Sequence, residues 1–452
     1  MKHPSTTTLT RGQYQQLMAH ASTQTDFVHI GSTGTGSGCG IRSGFSACAT
    51  ETLCLDQPLN SPLAVNELAR KMETRVSRYQ LPPNGEQPWL TGGWIGFISY
   101  ELGYQKEPRL AGLCPDLPVP LMSAGFYLWA ASHIQDTDQY ILWLHPECPD
   151  AIQKMVKHWL DGAPPPPGTG WHMPVPFQPR QSPEAFMAGV DCIRDYIEAG
   201  DCYQTNLSQE FTGRYLGDPW QAFQALSRAN PTPYSAFIRT NGSAIVSVSP
   251  ERFLEIRGDT ILTSPIKGTR PRGATPEQDQ ALASELMSSE KDRAENLMIV
   301  DLLRNDLGVN AATGSVSVDQ LFALESYRNV HHLVSHIRAR LADGVSPIKA
   351  LLDAFPGGSI TGAPKIRAME IIRELEPHWR GAYCGSVFFR GLDGTLDSSI
   401  AIRTLLCDSE GNIHCWGGGG IVADSDSREE YQETLTKVRS LMQFLEQLRV
   451  TE

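Results

Sequence analysis

A chain of 452 residues, 40% hydrophobic and 19% charged, has ordinary globular composition and enough length for about two or three domains around a large core. Its 38 basic and 50 acidic residues give a net charge of −12, a field that repels nucleic acid and anionic membrane where no Lys/Arg run offsets it, and no such run occurs. An anionic small substrate therefore needs a local concentration of positive charge.

The first residues, Met1-Lys2-His3-Pro4-Ser5-Thr6, lack an apolar export segment, and no stretch approaches the roughly eighteen apolar residues that span a bilayer, so a cytoplasmic protein without membrane contact is expected. The ten cysteines form no C-x-x-C pair, which favours reduced thiols over disulfides or zinc. Residues 1–160 read as short strands with few helices. Phe27-Val28-His29-Ile30 runs into a glycine-rich stretch ending at Gly40, but the spacing fits no phosphate-binding loop and no Lys-Ser/Thr follows. Thr91 to Tyr100 reads as a strand whose glycines permit close sheet packing. Four prolines, Pro164 to Pro167, exclude helix and central strand, so residues 161–179 read as a Pro/Gly-rich linker before a second region, 180–452.

That region opens with a helix capped by Ser182, started by Pro183 and stopped at Gly200. Strands are predicted at about 234–239, 244–249, 252–257 and 260–264, spaced for antiparallel hairpins. Ser249-Pro250-Glu251 and Ser264-Pro265-Ile266-Lys267-Gly268-Thr269 end such runs, which places a carboxylic acid and an amine at the ends of neighbouring strands. A long helical stretch after Thr275-Pro276, with a break near Ser288, carries Glu295 ahead of an apolar run and stops at Gly308. On a strand the side chains of His331 and His332 alternate, so they do not form a two-histidine metal site. The loop Phe355 to Pro364 opens onto a helix N-terminus. Strands at about 384–389 and 400–405 precede Gly417-Gly418-Gly419-Gly420, whose bare backbone admits a ligand close to its N–H groups. A last helix, about 428–448, carries an apolar stripe of Tyr431, Leu435, Val438, Met442 and Leu445, with Glu433 and Lys437 on another face.

Singly, each of these features reads as a solvated face or a loop; their order does not. G-D-C-Y-Q-T-N-L, S-P-E-R-F, P-I-K-G-T, K-D-R-A-E-N-L-M-I-V-D-L-L-R-N-D-L-G, H-H-L-V-S, P-G-G-S-I-T-G-A-P-K, A-I-R-T, G-G-G-I-V and Y-Q-E-T-L-x-K succeed one another over about residues 180–448. This succession resembles the catalytic half of the chorismate-utilising enzymes, which form anthranilate, aminodeoxychorismate, isochorismate or salicylate. The resemblance implies an α/β fold of the α+β type, like anthranilate synthase component I: mostly antiparallel sheets in a sandwich-like core surrounded by helices, with the site in a cleft of the C-terminal half.

Residue by residue it implies more. Gln204 stands where the water-adding members carry a lysine base, and glutamine cannot take that proton, so the chain is similar to the aminating members. Lys267 stands where the C2-aminating and water-adding members carry alanine, which points to the C4-aminating branch. There the lysine adds at C2 as the 4-hydroxyl leaves, and ammonia then adds at C4 and expels it; a cation holding a substrate carboxylate is the other role open to Lys267. Glu251 is implied as the general acid for the 4-hydroxyl, and Glu295 and Glu433 as Mg2+ ligands. Arg403 and Lys437 match carboxylate-holding groups, Gly418, Gly419 and Gly420 would present backbone amides, and Thr361 and His332 match ring-lining positions. Phe388-Phe389 replaces the family's common Gly-Tyr, whose hydroxyl often meets substrate. No G-x-C-x-G elbow with a downstream His-x-Glu occurs, so a separate glutamine amidotransferase subunit is implied as the ammonia source. The alternatives are a C2-aminating enzyme, against which Lys267 argues, and a catalytically silent chorismate-binding subunit, against which Glu251, Glu295 and Glu433 argue.

Overall fold

The alternating apolar runs between residues 234 and 263 fold as the strands Tyr234–Thr240, Ser243–Ser249, Arg252–Arg257 and Thr260–Thr263. They belong to a computed structural model that describes residues 4–33, 41–58, 63–81, 88–166, 168–326 and 330–450. The glycine-rich stretch Gly34 to Gly40 lies outside the described residues.

These four strands do not share one sheet. Tyr234–Thr240 and Ser243–Ser249 belong to a twelve-stranded sheet, whereas Arg252–Arg257 and Thr260–Thr263 belong to a ten-stranded one. The chain changes sheet at Pro250-Glu251. It changes back at Ala401 to Arg403, where the expected strand at 400–405 is broken: Leu396–Ile400 lies in the ten-stranded sheet and Thr404–Cys407 in the other. Arg403 takes a positive φ of 51° at this break. The two crossings lie side by side, because Ser247 pairs with Thr404 on one side and Arg252 with Ser399 on the other. Backbone hydrogen bonds tie them, from Val248 N–H to Arg403 O and from Ile400 N–H to Glu251 O, both at 3.1 Å.

Strand pairing among the described residues is antiparallel throughout both sheets, as expected of the α+β type. Residues 1–160 contribute to both: Val28–Gly31 pairs with Tyr234–Thr240, and Gly93–Ile98 with Ser386–Arg390. Of the predicted linker, His172–Pro179 is a strand paired with Gln204–Leu216. The facing sheets enclose one apolar cluster in which Trp94, Trp129, Trp143 and Trp416 are fully buried, each worth on the order of 3 kcal/mol of burial.

Helices cover this core where local signals place them. Ser182, Thr275 and Ser289 cap Pro183–Glu198, Pro276–Ser288 and Glu290–Gly308 by accepting backbone N–H groups. The final helix, Ser427–Gln447, buries Val438, Met442 and Leu445 and lies along the strand Asn412–Ile421. The approach is close enough that a Cβ on Gly417 would stand 2.5 Å from the Thr434 carbonyl oxygen. Residues 1–160 hold longer helices than expected, Arg11–Ala21, Leu63–Tyr79 and Asp150–Asp161. Among the described residues no helix is long and apolar enough to cross a membrane, and all nine described cysteines are free thiols.

Candidate active site

A cavity of about 750 Å³ opens where the sheet crossings, the helix Glu290–Gly308 and the final helix meet. Glu251, Lys267, Glu295, His332, Arg403, Gly418, Gly419, Gly420, Glu433 and Lys437 all line it, although they span almost two hundred residues of chain. Local structure explains how each arrives.

Glu251 and Arg403 come from the paired sheet crossings. Glu251 N–H donates to Ser249 Oγ at 3.2 Å, and that hydroxyl donates to Ile400 O at 2.5 Å, so the acid's backbone is locked to the neighbouring crossing. Only 7% exposed, Glu251 has its carboxyl pushed up to about 7 by burial, against the pull of Lys267, a hydrogen bond from Ser359 and the more distant Lys437. Burial also lowers the pKa of Arg403.

Lys267 is the second residue of the strand Ile266–Pro271, which is not a neighbour of Arg252–Arg257 but is separated from it by two strands in the ten-stranded sheet. The pairing with Val330–Arg340 slips between Ile266 and Thr269, and Gly268 takes a φ of +82° there. A bulge of this kind re-aims a side chain, and Lys267 reaches the cavity from it. The strand Val330–Arg340 puts His332 into the cavity and turns His331 the other way, onto Asp279 at 2.9 Å. His332 is bonded to Thr269 Oγ1 at 2.9 Å and is lowered to about 4 by burial and by Arg403, so it is neutral at pH 7.

The opposite wall is acidic. Burial raises Glu295, and Glu433 adds to that rise, whereas Lys437 holds Glu433 low through a 2.7 Å ion pair. Lys437 Nζ also donates to Gly418 O at 2.8 Å. Two expected site residues, Gln204 and Thr361, are not part of the lining. Gln204 is buried with its amide against Gly420, where a Cβ would stand 2.4 Å from its Nε2. Thr361 is fully buried and spends its hydroxyl on Gly357 O at 3.0 Å, a carbonyl that also accepts from Ile360 N–H. Phe388 and Phe389 face a second cavity, of about 470 Å³, between the sheets, so the missing hydroxyl of the Gly-Tyr pair does not fall here.

Other residues join the site unannounced. Ser359 donates to Glu251 Oε1 at 3.1 Å. Tyr383, Lys291 and Glu430 line the cavity too. Glu430 was legible as the residue one helical turn before Glu433 and hence on the same face; Ser359 lies in the motif P-G-G-S-I-T-G-A-P-K, two residues from Thr361, and Tyr383 carried no signal.

Among the described residues no cluster of three His, Cys, Asp or Glu side chains is preassembled for a metal. Glu295, Glu433 and Glu430 nonetheless share the acidic wall, where the charge of Glu433 raises the pKa of both Glu295 and Glu430. Carboxylates that raise one another's pKa are relieved by a hard divalent cation, and Mg2+ commonly takes one or two of them with waters and substrate oxygens completing its shell. The carboxylate donors suit a hard cation such as Mg2+. The cavity as a whole has an acid, an amine, a cationic edge and an anionic wall. That combination suits a small polycarboxylate from which a hydroxyl departs.

Residues 33–443 match the family described as chorismate binding enzyme. The chain is 46% identical over 367 residues to aminodeoxychorismate synthase component 1 of Klebsiella aerogenes, covering 81% of this chain and 80% of that protein. It is 40% identical over 417 residues to the protein of the same name from Escherichia coli strain K12, covering 89% and 90%. Among solved structures, anthranilate synthase component I from Streptococcus pneumoniae TIGR4 superposes with a TM-score of 0.75 at 28% identity, covering 89% of this chain and 92% of that one.

Proposed function

The chain belongs to the chorismate binding enzymes, and from that premise we propose that it converts chorismate and ammonia to 4-amino-4-deoxychorismate, a precursor of para-aminobenzoate and folate. The observation that carries the reading is the placement of Lys267 in one cavity with Glu251, close enough to lower the acid's pKa.

In this reading Glu251 protonates the 4-hydroxyl, a task for a carboxyl that holds its proton near neutral pH. Lys267 Nζ bonds to C2 while the C4–O bond breaks and both ring double bonds shift by one position. Ammonia then bonds to C4, the double bonds return, the C2–N bond to Lys267 breaks, and the new C4 ammonium gives up a proton that restores Glu251, so water is lost overall and the lysine is regenerated. Neutral His332 lines the ring. Arg403, Lys437 and the backbone amides of Gly418, Gly419 and Gly420 hold the two carboxylates, and Lys437 exchanges its bond to Glu433 for one to substrate. Glu295 and Glu433, with Glu430 beside them, would hold Mg2+, which supplies positive field to the ring carboxylate when bound. Gln204 acts from behind Gly420 and, as an amide, supplies no base to activate water. Ammonia comes from a separate glutamine amidotransferase, as the name component 1 in the relatives implies.

Product identification tests the reading: purified protein with chorismate, Mg2+ and an ammonium salt, analysed by mass and ultraviolet spectrum. An aminated product that keeps its enolpyruvyl group supports it. Anthranilate with free pyruvate would assign the chain to C2 amination instead, and no turnover even with a glutaminase added would leave a silent binding subunit.

A further inference from the structure

Glu251 is held from outside the cavity as well as within it. Its partner Ser359 sits in the loop between the helices Pro347–Ala354 and Lys365–Leu375, and that loop is pinned by charges that do not line the cavity. Asp306, near the end of the helix Glu290–Gly308, accepts the Gly358 amide on Oδ2 at 3.2 Å and Lys365 Nζ on Oδ1 at 2.6 Å. Lys365 Nζ also donates to Ala354 O at 3.2 Å. Lys106, from the N-terminal region, donates to Asp353 O at 2.6 Å and Phe355 O at 2.5 Å. The packing leaves little slack, since a Cβ on Gly358 would stand 3.1 Å from Leu302 Cβ and 3.4 Å from Asp306 Oδ2.

From this chain of contacts we propose that Asp306 is a positioning residue: through the Gly358 amide it places Ser359, and through the Ser359 hydroxyl it orients Glu251. The inference rests on the acid role given to Glu251 above. Both Asp306 oxygens accept from donors, so an asparagine of the same shape must turn its NH2 toward either the Gly358 N–H or the Lys365 ammonium. One donor then faces another, and the loop must shift. Misplacement of a reacting group by about 1 Å costs on the order of a hundredfold in rate.

Around Glu251 the charged and titratable groups are Lys267 from its bulged strand, Lys437 from the final helix and Cys384 ahead of the strand Ser386–Arg390; around Asp306 they are Lys365 and Lys106. Ser359 donates to the carboxylate and so favours its ionised form. Loss of that bond moves deprotonation of the acid to higher pH.

The test compares Asp306→Asn, Ser359→Ala, their double variant and Ser359→Thr in the full chain, by ammonium-dependent turnover of chorismate across neutral and alkaline pH. Asp306→Asn and Ser359→Ala should each lower kcat about tenfold to a hundredfold with KM changed less than about twofold. Both should move the alkaline limb upward by about half a pH unit or more, and Ser359→Thr should keep the wild-type limb. The double variant should be no slower than the slower single one, because both cut the same path. Asp306→Glu, which keeps the charge but moves it by one methylene, should displace the limb in the same direction and serves where the Asn variant does not fold. A loss of turnover with the wild-type limb in both Asp306 variants, or losses that multiply in the double variant, would overturn the inference. A wild-type protein that yields no aminated chorismate overturns the functional reading instead, before any variant is compared.

Discussion

Replacement of Glu251 by glutamine should make the protein more stable at alkaline pH and nearly inactive. Burial raises the Glu251 carboxyl from 4.5 to about 7, so the folded state prefers the protonated form. The stability that this preference contributes is complete below the unfolded value of 4.5 and is lost as pH rises through about 7. At pH 8 the wild type therefore carries a penalty of about 3 kcal/mol, at about 1.4 kcal/mol per unit of pKa. The glutamine side chain has nearly the same shape, still accepts from Ser359 and carries no charge to bury. For a chain of this length about 3 kcal/mol corresponds to a rise in Tm of about 3 °C. Melting curves at pH 8 and near pH 5 measure it: the variant should melt higher at pH 8, with the difference shrinking toward zero in acid. An equal difference at both pH values, or a wild type that melts higher at pH 8, refutes the buried-charge argument. The same variant should lose about 10²- to 10⁴-fold in turnover, because an amide supplies no acid proton. Wild-type turnover per free ammonia should fall about tenfold per pH unit above about 7, and that limb should be absent from the residual activity of the variant.

Lys267→Ala should abolish C4 amination, by at least about a hundredfold, and allow leakage toward C2 amination, read by mass spectrometry of the products; unchanged C4 product at a modestly lower rate would return Lys267 to a purely electrostatic role. Glu433→Gln removes one carboxylate from the acidic wall and should raise the Mg2+ concentration for half-maximal turnover by at least about tenfold, measured by Mg2+ titration at saturating chorismate. Arg403→Lys keeps a charge but loses the two-pronged donor, and should raise KM for chorismate about tenfold or more with a smaller effect on kcat in steady-state kinetics.

What the sequence determined by itself was local. The strands between residues 234 and 263 and the helices capped by Ser182, Thr275 and Ser289 follow from side-chain period and from which residue accepts the first free amides, so they fold where they were read. The helix Leu63–Tyr79 carries the same kind of signal without having been read, since Val65, Ala69, Met72, Val76 and Tyr79 recur every three or four residues and are all buried. The resemblance to a family added residues to this list, and ten of its twelve site positions meet in one cavity. Tertiary structure alone decided the remainder. Period two says that His331 and His332 part company, but only the strand's partners decide which of them faces the cavity. No local pattern announces that the chain changes sheet at Glu251 and back at Arg403, because a crossing is a relation between two distant segments. Gln204, Thr361 and Ser359 make the same point: neighbours in a motif take opposite sides of a backbone, and the side turned to the cavity is set by what packs behind it.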